Sequence, residues 1–310
     1  MSAEPQMAPL RSLLFVPGDS ARKQEKALAT EADALILDLE DSVAAANLPA
    51  ARARVAELLR SHAGGSGPRL WVRVNSPASG LLREDLEGVC AERLPAGIVL
   101  PKISAPAEIV EAAAHVTALE TRRGVASGAT RLLVVATETP QGLLALPQYP
   151  AVLHAARAAA ARLLGLTWGA EDLSAALGAV AKRDGGGALT FTFQLARTTC
   201  LLTAAALGVQ AIDGVHTDFR DAAGLQRELE SARRDGFSGK LAVHPEQIAA
   251  INAAFTPTAA EAEHARRVVA AFAAAPGVGV ASLEGAMIDR PHLIQAQRIL
   301  AAVQRSRQRT

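Results

Sequence analysis

Short apolar segments alternate along this chain with longer, alanine-rich segments. The short segments are almost continuously apolar, which is typical of strands buried on both faces of a parallel sheet. Eight of them are predicted as strands: Ser12–Val16, Ala34–Leu39, Leu70–Val74, Gly97–Leu100, Leu132–Ala136, Leu163–Thr167, Ala211–Val215 and Lys240–Val243. Helical segments are predicted between and after them: Ser20–Thr30, Ala50–His62, Leu82–Ala91, Ala105–Arg122, Pro150–Arg162, Phe193–Gly208, Asp221–Asp235 and Pro245–Ala254.

Eight strand–helix units within about 250 residues predict an α/β fold of the (β/α)8 TIM barrel type. A doubly wound sheet is the second interpretation, although it needs fewer strands. We therefore expect residues 1–256 to form a barrel domain. Beyond it, Ala259–Ala275 and Asp289–Gln304 have helical patterns, with the glycine-containing segment Gly277–Met287 between them. Residues 257–310 are predicted to be a C-terminal helical extension that packs on a neighbouring subunit.

Composition excludes several classes of protein. The 310 residues carry 32 Lys and Arg against 31 Asp and Glu, a balance that argues against a nucleic-acid partner. No apolar run approaches the ~18 residues of a transmembrane helix, so no membrane partner is expected. The first residues do not have the pattern of a secretory signal, and the two cysteines, Cys90 and Cys200, have apolar neighbours. A cytoplasmic protein without a disulfide framework is the expectation.

Charged side chains follow nearly every predicted strand. In a TIM barrel these positions form the active face, and carboxylates beside Arg and Lys are what a metal ion and an anionic substrate require. The positions, in chain order, are Asp19 and Lys23; Asp38, Glu40 and Asp41; Arg73 and Asn75; Lys102; Glu138; Glu171 and Asp172; His216 and Asp218; and His244.

Glu138 and Asp172 end adjacent strands, so their carboxylates are predicted to meet over the barrel mouth. Mg²⁺ commonly binds one or two carboxylates together with water and substrate, and no Cys/His cluster indicates zinc. Gly169 lies in a tight turn before Asp172 and would bring the backbone close to a ligand. The alternative is that both acids cap helices or lie on the surface.

Arg73 and Lys102 have apolar neighbours in or after a strand. Such a cation needs either a bound carboxylate or an internal acidic partner from the second strand. Among the acids there, one, such as Asp41, is expected to orient Arg73 or a metal-bound water. The motifs of serine hydrolases, P-loop proteins and Rossmann dinucleotide-binding proteins are absent from the sequence.

These residues together resemble the citrate lyase β-subunit-like family of the HpcH/HpaI aldolase superfamily. Nearly the whole chain, from about residue 11 to 302, takes part in the resemblance. Nine motifs in order carry it: Arg11–Gly18, Leu35–Asp41, Val72–Asn75, Val99–Lys102, Glu138–Pro140, Gly169–Leu173, Ala211–Val215, His244–Pro245 and Gly285–Pro291.

The resemblance implies a Mg²⁺-dependent homo-oligomer, with a trimer favoured, that acts on 3-hydroxyacyl thioesters of CoA or acyl-carrier protein. It makes Glu138 and Asp172 the metal ligands and Arg73 the contact to substrate oxygens. Asp289 is implied to enter the site of a neighbouring subunit. Three further residues are implied to hold the CoA end: Arg11, Lys23 and Lys26. His216 and the Gly- and Thr-rich region 183–197 depart from the family pattern.

The reaction expected from this resemblance is a retro-Claisen cleavage to a 2-keto acid and an acyl thioester. A malyl-CoA-type thioesterase using the same site is one alternative. The other is a β subunit that is inactive outside a larger citrate lyase complex. The sequence leaves open which keto acid and which carrier are used.

Overall fold

The structure is a computed structural model that describes residues 9–62, 67–274 and 279–307. Leu10–Ile251 form one compact unit, and the described residues from Asn252 onward belong to a second. In the first unit, eight parallel strands close into a barrel in chain order. They are β1 (Ser12–Pro17), β2 (Ala34–Asp38), β3 (Arg69–Arg73), β4 (Gly97–Leu100), β5 (Arg131–Val135), β6 (Leu163–Thr167), β7 (Gln210–Asp213) and β8 (Gly239–Ala242).

The predicted TIM barrel is therefore confirmed, and each predicted strand overlaps a strand of the barrel. Helices connect the strands. They are α1 (Ala21–Leu28), α2 (Leu48–Ser61), α3 (Leu82–Val89), α4 (Pro106–Arg122), α5 (Pro140–Ala145), α6 (Tyr149–Ala155), α7 (Arg157–Arg162), α8 (Ala170–Leu177), α9 (Phe191–Leu207), α10 (Ala222–Asp235) and α11 (Ile248–Ala254).

The helices differ from the predictions in two respects. The single helix predicted over Pro150–Arg162 is broken at Ala156, whose ψ of 63° is not helical, into α6 and α7. The short helices α5 and α8 were not predicted; Glu138 lies just before α5, and Asp172 lies in α8. Among the described residues, no helix is long and apolar enough to span a membrane.

Close packing inside the barrel restricts side-chain size. Trp71 on β3 is fully buried, and a Cβ atom at Gly97 on β4 would lie 2.3 Å from its ring. Only glycine therefore fits at position 97, and strands β3 and β4 pair there directly. This packing helps to keep the strand ends, and the polar residues after them, in fixed relative positions.

The second unit contains α12 (Ala259–Ala273), β9 (Val280–Leu283), β10 (Ala286–Asp289) and α13 (Arg290–Arg307). The two helices were predicted, but the antiparallel pair β9–β10 was not. Its two-residue turn, Glu284-Gly285, has φ values of 52° and 82°, as in type I′ hairpins. Gly285 thus forms a hairpin turn, whereas Gly277 lies outside the described residues.

A buried ion pair outside the candidate site provides a test of fold stability. Glu120 on α4 is completely buried and pairs with Arg162, while the backbone N–H groups of Gly128 and Thr130 donate to its carboxylate. Burial alone would raise the pKa of Glu120, but the hydrogen bonds from Arg162 and the backbone outweigh it and lower that pKa.

Glu120→Gln should therefore lower the free energy of unfolding at pH 7 by about 3–5 kcal/mol. Because the folded pKa of Glu120 is depressed, its contribution is present above the unfolded pKa and is lost as pH falls through the folded value. Urea unfolding at several pH values should show the difference from wild type shrinking below pH ~4.5. Glu111→Gln, an exposed acid on the same helix, is the control and should change stability little.

Candidate active site

The carboxyl ends of the barrel strands surround a cavity of about 660 Å³. Seven of the nine predicted site residues line it: Lys23, Lys26, Asp41, Arg73, Glu138, Gly169 and Asp172. They come from five different strand ends, because each strand delivers its following residues to the same face. The cavity thus brings carboxylates, guanidinium and ammonium groups together.

Glu138 and Asp172 reach the cavity from adjacent strand ends. Thr139, not Glu138, caps α5, since its hydroxyl accepts the N–H of Gly142 at 2.9 Å. Asp172 lies in the first turn of α8, and Gly169 is the N-cap residue. Neither acid is therefore a capping residue. Glu138 is buried, whereas Asp172 is 33% exposed, so the metal-ligand role of both acids stays a prediction.

Gly169 allows the two segments to approach closely. A Cβ atom at position 169 would lie 2.6 Å from Cγ of Glu138. The Glu138 side chain is 5% exposed, and its burial raises its pKa to about 8, with the charges of Glu40 and Asp172 contributing to the rise. A cation bound next to the Glu138 carboxylate would therefore favour its charged form.

Arg73 forms an internal ion pair, as one of the two interpretations predicted. Its Nε and Nη2 donate to the two oxygens of Asp38 at 2.6 and 2.8 Å, and Nη1 lies 2.9 Å from Glu40. Burial alone would raise the pKa of Asp38, but the hydrogen bond and charge of Arg73 outweigh it and lower that pKa. Arg73 is nevertheless part of the cavity wall, so pairing does not remove it from the site.

Lys102 connects acids from three strand ends. Its backbone N–H donates to Oε2 of Glu138 at 2.6 Å, and its ammonium group lies 2.5 Å from Glu40, 2.8 Å from Asp41 and 3.3 Å from Asp172. Burial raises the pKa of Glu40 to about 7, although the charges of Arg73 and Lys102 oppose this. The pairs with Glu40 and Asp41 match one of the two interpretations predicted for Lys102. The contacts with Glu138 and Asp172 were not predicted, because nothing in the motif around Lys102 indicates its backbone conformation.

Acids outnumber cations in this cluster. Five carboxylates (Asp38, Glu40, Asp41, Glu138 and Asp172) surround two cations, Arg73 and Lys102. No group of three or more His, Cys, Asp or Glu side chains in the described ranges could hold a metal ion by itself. The donor set therefore fits a hard divalent cation bound by two carboxylates, with its other positions left for water and substrate.

The predictions for the three basic residues have different outcomes. Lys23 and Lys26, two exposed residues of α1, line the cavity. Arg11 does not: it precedes β1, at the amino end of the strand, and its guanidinium pairs with Asp33 at 2.9 Å. The prediction that Arg11 helps to hold the substrate is wrong, since the active face lies at the opposite ends of the strands.

Two histidines follow the last strands. His244 lines the cavity, stacks on Phe219 with ring centroids 4.4 Å apart, and accepts the N–H of Glu246. His216 lines a neighbouring cavity instead, and its Nδ1 lies 2.9 Å from Glu228. The Phe219–His244 stack was not predicted, because only the fold brings these two loops together.

Asp289 is the last residue of β10, in the second unit. Its carboxylate lies 2.5 Å from Nδ1 of His292, in the first turn of α13, and both side chains are about half exposed. The Asp289 carboxylate is thus partly accessible at the end of a hairpin. The predicted delivery of Asp289 to a neighbouring subunit stays a prediction.

This chain is similar to a known protein family and to several characterised proteins. The model of the family HpcH/HpaI aldolase/citrate lyase matches residues 11–245. A (3S)-malyl-CoA thioesterase of Cereibacter sphaeroides is 37% identical over 299 residues, 96% of this chain and 95% of that protein. Human mitochondrial citramalyl-CoA lyase is 36% identical over 296 residues, 93% of this chain and 84% of that protein.

A solved structure also matches nearly end to end. CitE from Mycobacterium tuberculosis, in complex with magnesium, acetoacetate and coenzyme A, superposes with a TM-score of 0.73 at 33% identity, covering 96% of this chain and 99% of that one. A second structure, the citrate lyase β subunit from the same organism with oxaloacetate and magnesium, has a TM-score of 0.64 and 33% identity, and covers 81% of this chain and 98% of that one. Sequence and structure therefore agree that this chain belongs to the HpcH/HpaI aldolase/citrate lyase family.

Proposed function

We propose that this protein is a Mg²⁺-dependent carbon–carbon lyase that cleaves a 3-hydroxyacyl-CoA thioester to a 2-keto acid and an acyl-CoA. The observation that carries the proposal is the meeting of Glu138 and Asp172 with Arg73 in one cavity that also holds Lys23 and Lys26. The relatives support it, since a citramalyl-CoA lyase and a malyl-CoA thioesterase both act on such thioesters.

Glu138 and Asp172 would hold the metal ion. Two features of these residues fit a bound metal ion: carboxylates outnumber cations, and the pKa of Glu138 is raised. When bound, Mg²⁺ supplies Lewis acidity toward the hydroxyl and carboxylate oxygens of the substrate. Gly169 leaves room for the Glu138 side chain itself, since a Cβ atom at position 169 would lie 2.6 Å from its Cγ.

In the reaction, the 3-hydroxyl group gives its proton to solvent water and the C2–C3 bond breaks. The bonding electrons pass to the thioester as an enolate, C3 becomes the keto carbon, and protonation at C2 completes the acyl-CoA. Arg73, fixed by Asp38 and Glu40, stabilises negative charge on the substrate oxygens. Asp41, which contacts both Arg73 and Lys102, orients these cations.

Two further groups complete the proposed site. Lys23 and Lys26 bind the phosphates of CoA, for which ammonium groups serve as point charges. Asp289 of a neighbouring subunit in a homo-oligomer exchanges the proton at C2. A carboxylic acid suits this step because its half-exposed position allows it to recover a proton from solvent.

Hydrolysis is the second candidate function, favoured by the 37% identity to a thioesterase over 96% of this chain. Incubating the purified protein with malyl-CoA or citramalyl-CoA and Mg²⁺ separates the two. Acyl-CoA together with a 2-keto acid indicates cleavage, whereas free CoA together with the hydroxy acid indicates hydrolysis. Turnover by the isolated chain would exclude the third interpretation, a β subunit that needs partner subunits.

Arg73→Lys should lower kcat/KM by about 100-fold, although the charge is kept. A planar guanidinium binds both oxygens of Asp38 and keeps its third nitrogen 2.9 Å from Glu40, whereas a single ammonium group cannot do both. Steady-state kinetics with a thermal unfolding scan checks this, and Arg54→Lys, at an exposed position on α2, is the control. Wild-type kinetics in Arg73→Lys would show that Arg73 has only a structural role.

A further inference from the structure

Lys102 has an unusual backbone conformation. Its φ of 52° lies in the left-handed region, which only one other non-glycine residue of the described ranges, Glu284, also occupies. A side chain with a Cβ atom is disfavoured there, and such residues persist where the surrounding structure requires them. In this conformation the backbone N–H of Lys102 donates to Oε2 of Glu138 at 2.6 Å.

The side chain of the same residue reaches the other proposed metal ligand. Its ammonium group lies 3.3 Å from Oδ1 of Asp172, and it also contacts Glu40 at 2.5 Å and Asp41 at 2.8 Å. One residue therefore contacts both proposed ligands, Glu138 through its backbone and Asp172 through its side chain. Among the described residues, no other cation forms an ion pair with Asp172.

The three ammonium contacts differ in strength. Glu40 is 7% exposed and closest, whereas Asp172 is 33% exposed and most distant. The contact with Asp172 is thus the easiest to break, and Lys102 keeps two acidic partners after breaking it. A divalent cation arriving at Glu138 and Asp172 would meet this positive charge, and the two charges would repel each other.

From this geometry we propose that Lys102 is a built-in counter-cation of the metal site. It holds Glu138 and Asp172 in place while no divalent cation is bound, and it releases Asp172 when one binds. Lys102 is a positioning residue in this role, and it limits the affinity for the metal. The inference rests on the proposed function, because it takes Glu138 and Asp172 as the metal ligands.

Mg²⁺ titration calorimetry on the purified full-length protein tests this without measuring catalysis. Lys102→Met removes the charge and keeps the apolar stem, so Mg²⁺ should bind about tenfold more tightly than to wild type. The metal-free variant should also have a lower Tm, because its carboxylates have lost a partner. Lys182→Met is the matched control: it removes an equal charge that pairs with Glu171, next to Asp172 in sequence, and should change the affinity about twofold or less.

Two variants with smaller side chains, Lys102→Gly and Lys102→Ala, separate the effect of the ammonium group from the effect of the backbone conformation. Lys102→Gly removes the ammonium group but adopts the left-handed conformation without strain, whereas Lys102→Ala is strained. Lys102→Gly should therefore unfold about 2–4 °C above Lys102→Ala and bind Mg²⁺ as tightly as Lys102→Met. It also keeps the test usable if Lys102→Met folds poorly.

Equal or weaker Mg²⁺ binding in Lys102→Met and Lys102→Gly, with wild type binding normally, would overturn the inference and leave the proposed function intact. If wild type and both variants all failed to bind Mg²⁺, the magnesium assignment under the proposed function would fail, and the inference with it. Binding by the variants alone would support the inference, because it would show that Lys102 blocks the cation.

Discussion

Glu138→Gln, and separately Asp172→Asn, is expected to abolish measurable Mg²⁺ binding and to lower kcat at least about 1,000-fold, with the fold intact. Each change removes one of the two carboxylates that would hold the ion. The fold should survive Glu138→Gln because burial already disfavours the charged form of Glu138, as its pKa of about 8 indicates. A glutamine oxygen can still accept the N–H of Lys102.

Calorimetric Mg²⁺ titration, with circular dichroism to verify folding, measures this effect. The control is Glu171→Gln. Glu171 is next to Asp172 in sequence, and its carboxylate pairs with Lys182. It should leave Mg²⁺ binding within about twofold of wild type, since it removes only a neighbouring charge. Unchanged Mg²⁺ affinity in Glu138→Gln or Asp172→Asn would contradict the assignment of the metal ligands.

Asp289→Ala is expected to lower kcat by about 100-fold or more, the effect of removing a general acid–base group. If Asp289 acts in a neighbouring subunit, mixing inactive Asp289→Ala with inactive Glu138→Gln should restore part of the activity. Some sites in the mixed oligomers would then combine an intact metal pair from one chain with an intact Asp289 from another. Activity before and after subunit exchange is the measurement, with native mass spectrometry to show that mixed oligomers form.

The hairpin that ends in Asp289 offers a control for this experiment. Glu284 lies in the turn of this hairpin, is exposed, and pairs with Arg267 in the same unit. Glu284→Ala should keep wild-type activity, which would show that altering the hairpin alone has no effect. Demonstrated exchange with no recovery of activity would mean that Asp289 acts within its own chain or not at all.

The sequence predicted the barrel because parallel strands buried on both faces are continuously apolar. In β2, for example, all five residues are buried. The hairpin β9–β10 has no such signal: alternate residues of β9 are exposed, and its turn is Glu-Gly rather than Asn-Gly. Helix α8 has only eight residues, and only Leu173 among them is buried, which makes it hard to recognise.

The candidate site was predictable to the extent that it follows from strand ends. Glu138, Asp172 and Arg73 could be placed in one cavity because each follows or ends a predicted strand. Arg11 was misplaced because the resemblance, not its position before β1, put it in the site. The link made by Lys102 depends on a positive φ, which a lysine rarely adopts and which no local motif revealed.

A crystal of the protein soaked with Mg²⁺ and a 2-keto acid tests the central claim most directly. We predict electron density for Mg²⁺ bound by the carboxylates of both Glu138 and Asp172, with the keto acid beside Arg73 in the same cavity. Mg²⁺ bound elsewhere, or a keto acid outside this cavity, would contradict the account.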